Sequence, residues 1–152
     1  MKKKLLGLFL CFLSVLSLTG CQLIDRVPIE ISSQQFKQTM KQYEFEIHNN
    51  TKNLNSQFVK ENIIAIKNTK QIEYYQFKNE KDCQSSYDST KNKISYNQQL
   101  VQETQNKNCI KTVVTTQEKY YTLVKIGKVM LFCTSNIDTK DDIDAIISNF
   151  NF

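Results

Sequence analysis

Apolar side chains recur at helical spacing in three stretches of the chain, and these stretches predict three amphipathic helices. The first helix opens at Ser32, because Ser32 and Gln35 have the spacing of a capping box. The second covers residues 80–94. The third follows Asp138 and Thr139 and carries carboxylates at its positive N-terminal end. The apolar faces of the three helices consist of Phe36, Met40 and Tyr43; of Cys83, Tyr87 and Ile94; and of Ile143, Ile146, Ile147 and Phe150.

Period-two alternation or a high content of β-branched residues predicts six strands. These strands cover residues 44–48, 63–67, 71–78, 110–116, 119–126 and 129–134. Residues 67–70 and Gly127 predict tight hairpin turns, and glycine readily adopts the positive φ that such a turn needs. Residues 129–133 are apolar on both faces, which predicts a central strand covered on both sides. Residues 95–107 contain few apolar side chains and are predicted to form a loop.

The elements follow the order α-βββ-α-βββ-α, and the links between neighbouring strands are short. This order predicts an α+β fold with an antiparallel β-sheet of about six strands and helices packed on it. In outline it is similar to the α+β folds of small envelope proteins, including the PsbP-like and β-lactamase-inhibitor-like types. A likeness of topology alone implies no function.

Residues 1–21 have the organisation of an export signal. Three lysines at positions 2–4 precede an apolar run of 14 residues, which ends in the sequence Leu18-Thr19-Gly20-Cys21. A transmembrane anchor is the first alternative, but a spanning helix needs about 20 apolar residues. An ordinary secretory signal with a chance cysteine is the second. The whole pattern resembles the bacterial lipoprotein class.

That resemblance implies a lipid-anchored protein on the extracytoplasmic face of the cell membrane. Residues 1–20 would be a signal peptide, Cys11 would leave with it, and Cys21 would become the first residue and carry palmitate or similar chains. Two or more chains make a stable anchor, whereas one binds reversibly. Residues 21–31 would form a tether, and residues 32–152 a single domain like those of other small envelope lipoproteins. The apolar residues of the tether argue against a wholly loose linker.

Removal of the leader changes the charge of the chain. The full sequence has 20 Lys+Arg against 15 Asp+Glu, and the three leader lysines leave 17 against 15, a net charge of +2. The remaining lysines are interspersed with acidic residues, so the phosphate-binding surface of a nucleic-acid-binding protein is not predicted. The abundance of lysine, asparagine and isoleucine favours a Gram-positive source.

Metal binding is not predicted from the residues that could provide ligands. His48 is the one histidine, and it stands at the end of a predicted edge strand. Cys83, Cys109 and Cys133 could complete a set of four, but their spacing does not match that of a zinc site. The cluster of Asp138, Asp141 and Asp142 lacks the alternating pattern of a calcium loop and is explained by helix capping.

The three cysteines that remain after processing, Cys83, Cys109 and Cys133, form an odd set, so at least one stays free or pairs between chains. Small buried apolar side chains are the expected role, and one disulfide remains an alternative that the sequence does not assign. The adjacent pairs Tyr74-Tyr75 and Tyr120-Tyr121 lie in predicted strands, so one tyrosine of each pair must face away from the other. These tyrosines either pack across strands or line a ligand surface.

Two classes of function follow. The predicted one is a membrane-anchored, non-catalytic binding or interaction module with a protein or small-ligand partner at the cell surface, without cofactor, metal or nucleic acid. The alternative is an envelope enzyme of hydrolase type, whose carboxylates no spacing singles out. A deep pocket with two carboxylates would favour the enzyme, and a shallow face rich in aromatic residues would favour binding.

Overall fold

The computed structural model describes residues 27–54, 56–96, 98 and 100–150. The lipoprotein-like motif, including Cys21, therefore lies outside the described residues. Within the described residues, three α-helices and seven strands form an α+β fold. The helices are α1 (Ser33–Gln42), α2 (Glu80–Ser95) and α3 (Lys140–Ser148). The strands are β1 (Glu46–Asn49), β2 (Val59–Lys67), β3 (Lys70–Phe77), β4 (Leu100–Asn106), β5 (Cys109–Thr115), β6 (Lys119–Ile126) and β7 (Val129–Asn136).

All seven strands belong to one antiparallel sheet in the order β1-β2-β3-β7-β6-β5-β4. The first three strands and the last four form two meanders, and pairing of β3 with β7 joins them. Tyr74, for example, lies opposite Leu131. Strand β7 occupies the middle of the sheet, which confirms the prediction of a central strand. Its alternate side chains lie in the two separate apolar clusters on the two sides of the sheet.

The predicted strand count was wrong, because residues 95–107 are not simply a loop. They contain the whole of β4, so the order is α-βββ-α-ββββ-α. The side chains of residues 101–106 are exposed, and such a strand has no apolar face to reveal it in the sequence. It is held by the backbone ladder to β5 and by a two-residue turn in which Asn106 pairs with Cys109. Strand β2 also begins earlier than predicted, at Val59.

The helices cover both faces of the sheet. Helices α1 and α3 pack on one face, here called the α1/α3 face, and α2 packs on the other, here called the α2 face. The larger core lies under α1 and α3 and includes Phe36, Met40, Ile63, Ile72, Tyr74, Tyr120, Leu131, Ile143, Ile146 and Ile147. The smaller core lies under α2 and contains Phe77, Cys83, Tyr87, Leu123 and Met130. Among the described residues no helix is long and apolar enough to cross a membrane.

Both ends of α1 follow from local sequence. The predicted capping box is present, because Ser32 and Gln35 each accept a hydrogen bond from the backbone N–H of the other. At the C-terminal end, the Glu44 and Phe45 N–H groups donate to the Lys41 and Met40 carbonyls. This is a Schellman motif, and it requires a residue with positive φ. Glu44 adopts that conformation at φ 59°, and the chain then enters β1.

The segment before α1 lies against the domain. Ile31 is buried in the larger core, and its carbonyl accepts a hydrogen bond from the Tyr74 hydroxyl at 3.1 Å. The carboxylate of Glu30 accepts from the Lys128 N–H at 2.6 Å, at the turn between β6 and β7. Ile29, by contrast, is 79% exposed. Pro28, one position earlier, is buried. The segment therefore lies against the domain from Pro28 onward.

Candidate functional site

A groove of about 440 Å³ opens on the α2 face of the sheet. We call it the aromatic groove. One wall is α2, and the rest comes from β3, β7 and the segment that leads into β2. It is lined by Leu54, Phe58, Val59, Tyr75, Phe77, Asp82, Ser85, Ser86, Thr90 and Met130. Residues far apart in sequence meet here because α2 starts directly after β3 and crosses the neighbouring strands.

The apolar part of the groove is aromatic and partly open to solvent. Phe77 is buried, and the ring of Tyr75 stacks beside it with centroids 6.1 Å apart. Phe58 is 44% exposed at the rim, although it is large and apolar. Exposed aromatic side chains next to a buried apolar surface are typical of binding sites, because they provide contact area at a small cost in conformational entropy.

The α2 wall supplies polar groups. Ser85, Ser86 and Thr90 place hydroxyls along the groove, and Asp82 places a carboxylate near the start of the helix. The Asp82 carboxylate accepts a hydrogen bond from the Asn79 side chain at 2.7 Å, and Asn79 caps the helix. The groove thus combines an apolar floor with a few polar groups on one side, as small-ligand sites usually do.

The two tyrosine pairs are divided between the faces, as the strand alternation requires. Tyr74 and Tyr120 are buried on the α1/α3 face, whereas Tyr75 and Tyr121 are partly exposed on the α2 face. The Tyr75 hydroxyl donates to the Glu73 carboxylate. Burial, and then this hydrogen bond, raise the pKa of Tyr75, so the ring stays neutral at physiological pH. Tyr75 lines the aromatic groove, and Tyr121 stacks on Phe132 further along the face.

A hydrogen-bond chain fixes the position of α2. The Tyr87 and Thr112 hydroxyls are 2.6 Å apart, Thr112 donates to Glu103 at 2.9 Å, and Lys91 donates to Glu103 at 2.5 Å. Burial raises the pKa of Tyr87 to about 12. The hydrogen bond from Lys91 lowers the pKa of Glu103. The chain joins the helix to β4 and β5 and so fixes the helical wall of the groove.

Residues considered for metal binding lie apart. His48 is exposed on edge strand β1, with Nε2 3.2 Å from the Glu46 carboxylate. Asp142 accepts from Lys70 at 2.6 Å, and its neighbour Asp141 lies 3.7 Å from Lys140. In the part of the chain that the structure describes, no three histidine, cysteine or acidic side chains are grouped as metal ligands would be.

Cys83, Cys109 and Cys133 are free and buried. Cys83 lies in the smaller core, and the other two lie in the larger core. Burial raises the pKa of all three thiols, that of Cys83 to about 12. Such thiols stay protonated and behave as small apolar side chains, the role that the sequence favoured.

Three cavities on the described part of the protein are each lined by a single carboxylate. These carboxylates are Glu30 beside α1, Asp82 in the aromatic groove and Asp142 beside α3. The paired carboxylates that would favour a hydrolase do not share any of these three. The aromatic groove is the cavity whose lining matches the expectation for a binding module.

Sequence reasoning missed most of the groove. It singled out Tyr75 only as one of a pair, and it did not consider Phe58, Ser85, Ser86 or Thr90. Phe58 carried a usable signal, since the apolar pair Phe58-Val59 follows a polar segment. The hydroxyl residues carried none, because serine and threonine on an exposed helix face are ordinary. Comparison with protein-family models, curated proteins and solved structures finds no match for this chain.

Proposed function

We propose that this protein is a lipid-anchored binding module, held at the extracytoplasmic face of the membrane by Cys21. Its proposed ligand is a small amphipathic molecule that occupies the aromatic groove. The binding part rests on the exposed Phe58 and the partly exposed Tyr75 beside the buried Phe77, in a groove of about 440 Å³. The anchoring part rests on the Leu18-Thr19-Gly20-Cys21 sequence and the leader before it.

The lining specifies the chemistry of the ligand. One side of the ligand must be apolar to cover Phe77 and Met130. The other side must offer hydrogen-bonding groups to the hydroxyls of Ser86 and Thr90. Asp82 adds a negative charge at one end, which favours a ligand whose charge there is neutral or positive. A sugar unit, an amino acid or a short peptide meets these requirements, whereas a polyanion does not.

Ligand-observed NMR on the full chain tests the groove. The probes are a set of neutral sugars, amino acids and dipeptides, with inorganic phosphate as the anionic comparison. Ser86→Trp should fill the groove, because Ser86 lines it directly. Asn92→Trp introduces the same side chain at an exposed position of α2 and is the matched control.

At least one neutral or cationic probe should bind to the wild type and to Asn92→Trp, and its signal should disappear in Ser86→Trp. Binding that survives in Ser86→Trp would place the site elsewhere. A complete lack of binding across the set, or preferential binding of phosphate, would contradict the proposed ligand chemistry. Melting curves establish that each variant is folded before the comparison is made.

A further inference from the structure

Strand β4 forms one edge of the sheet, and its outer side carries backbone groups ready for another strand. The pair Asn106 and Cys109 closes a two-residue turn, so these two residues must exchange hydrogen bonds with each other. The pattern then alternates along the strand. Gln102 and Thr104 bond to β5, and Val101, Glu103 and Gln105 direct their N–H and C=O groups outward.

This edge lacks proline and β-bulges, two of the devices that usually prevent strand addition. Its seven residues include no proline, and its register with β5 is regular throughout. The other edge of the sheet, β1, has only four residues. Val101 on this strand is 39% exposed, and Tyr96, four residues before the strand begins, is 75% exposed. A long, regular edge beside exposed apolar side chains is the kind of site to which another strand adds.

We propose that β4 pairs in antiparallel fashion with β4 of a second copy of this chain, with the two-fold axis at Thr104. The edge is complementary to itself in this register. Glu103 lies opposite Gln105 of the second copy, and Gln102 lies opposite Asn106. Each Glu103–Gln105 pair forms two backbone hydrogen bonds, and the glutamine amide lies within reach of the carboxylate.

The neighbouring registers are less favourable. An axis at Glu103 sets two carboxylates directly opposite each other, and like charges in that position are destabilising. An axis at Gln102 sets Glu103 against the apolar Val101. An axis at Gln105 leaves only three residues of each strand paired, whereas the axis at Thr104 pairs five. This pairing involves only the edge of the sheet and does not depend on the aromatic groove.

Disulfide trapping tests this register directly. Thr104 directs its backbone groups toward β5, so the two copies of Thr104 form a pair without mutual hydrogen bonds, with Cα atoms about 4.5 Å apart. That spacing fits a disulfide. The two copies of Gln102 would be about 13 Å apart along the strands, which is too far. Thr104→Cys is therefore the test, and Gln102→Cys is the control on the same strand and the same face.

The experiment uses cells that produce the full chain, a mild oxidant and a non-reducing gel, with the unchanged chain giving the background from natural cysteines. Thr104→Cys should form a species of twice the chain mass, and Gln102→Cys should not. Within Thr104→Cys, Gln105→Lys should increase the dimer and Gln105→Glu should decrease it, by about twofold to tenfold, since each changes the pair with Glu103.

Equal trapping of Thr104→Cys and Gln102→Cys would overturn the proposal. So would trapping that does not respond to the charge at position 105, or a product in which Thr104→Cys is linked to a chain of another mass. Melting curves of the purified variants separate loss of pairing from loss of folding, because Gln102, Thr104 and Gln105 are exposed and their substitution should leave the melting temperature within a few degrees.

Discussion

Single residues with positive φ determine the turns of three hairpins in the sheet. Asn68, Lys107 and Gly127 each take the first position of a two-residue loop, at φ 54°, 51° and 54°. An L-residue with a Cβ atom adopts this conformation at a cost of roughly 1–2 kcal/mol. Asparagine and glycine are common at such positions, and lysine is not, so the turn after β4 is the most strained of the three.

Gly127→Val should destabilise the domain by about 1–3 kcal/mol, through backbone strain and a clash. A Cβ atom added to Gly127 would lie 1.8 Å from the Glu30 carboxylate, which must move away. Urea unfolding of the wild type and the variant measures the difference. Gly127→Ala in a Glu30→Ala background removes the clash and isolates the backbone cost, about 1–2 kcal/mol. Coinciding midpoints for the wild type and Gly127→Val would mean that the turn does not need glycine.

Glu103 should make the stability of the domain depend on pH at the acidic end. Its pKa in the folded state is lowered by Lys91, below the value of about 4.3 in the unfolded chain. The ionised carboxylate therefore stabilises the fold above about pH 4, and this contribution is lost as the pH falls through the folded-state pKa. The side chain is 41% exposed, so solvent screening keeps the effect below about 1 kcal/mol.

The comparison is between wild type and Glu103→Gln, by urea unfolding at neutral pH and at about pH 3. The wild type should be the more stable at neutral pH, and the difference in free energy of unfolding should become smaller on acidification. Glu118→Gln, at an exposed residue of the β5–β6 loop, shows the general effect of removing one carboxylate. If the difference in free energy of unfolding between wild type and Glu103→Gln stays constant with pH, Lys91 does not lower the pKa of Glu103 as described.

At the scale of elements, the segment before α1 packs on the domain and is not only a linker. Ile31 is 4% exposed, and the neighbouring isoleucine at position 29 is 79% exposed. Ile31→Ala should lower the free energy of unfolding by about 2–4 kcal/mol, because it leaves a cavity in the larger core. Ile29→Ala should change it by less than about 0.5 kcal/mol.

Denaturant unfolding of the two variants measures this contrast with the same chemical change at both positions. Equal losses of stability in Ile31→Ala and Ile29→Ala would show that Ile31 does not pack in the larger core. The experiment also defines where a shortened chain can begin. A chain that starts at Ser32 would lose Ile31 and the Glu30 hydrogen bond to Lys128, and so should melt at a lower temperature than one that starts at Val27.

Helix α2 joins the two meanders and shapes the candidate site. Its buried residues Cys83 and Tyr87 fix it to the sheet, and the chain from Tyr87 through Thr112 to Glu103 fixes its rotation. The same rotation turns Ser86 and Thr90 toward the groove. The shape of the groove therefore depends on contacts that the helix makes on its other side. These contacts involve residues that do not line the groove.

At the scale of the whole molecule, the proposed anchor predicts lipid on one cysteine only. In cells supplied with labelled palmitate, the wild-type protein and Cys11→Ala should carry the label, and Cys21→Ala should not. Cys11 is a matched control because it is a cysteine of the proposed leader. Equal label on the wild type and Cys21→Ala would end the lipoprotein proposal. It would leave the proposal for the aromatic groove untouched, since that rests on separate residues.

The sequence by itself determined the elements whose signals are local. The capping box at Ser32, the apolar stripe of α3 and the tight turn at Gly127 depend on residues a few positions apart. Strand β7 was predicted to be central because both of its faces are apolar, and a strand can bury both faces only inside the sheet. For these elements, propensity, pattern and turn chemistry point to the same structure.

Only the tertiary structure decided the features that depend on distant partners. Strand β4 is polar and exists because β5 completes its hydrogen bonds, so residues 101–106 gave no periodic signal. The junction of β3 with β7 joins residues about 60 positions apart, and no local pattern specifies such a pairing. The aromatic groove combines Phe58 from a loop, Tyr75 from a strand and Ser86 from a helix. These residues acquire a common role only when α2 crosses the sheet, because packing and not spacing brings them together.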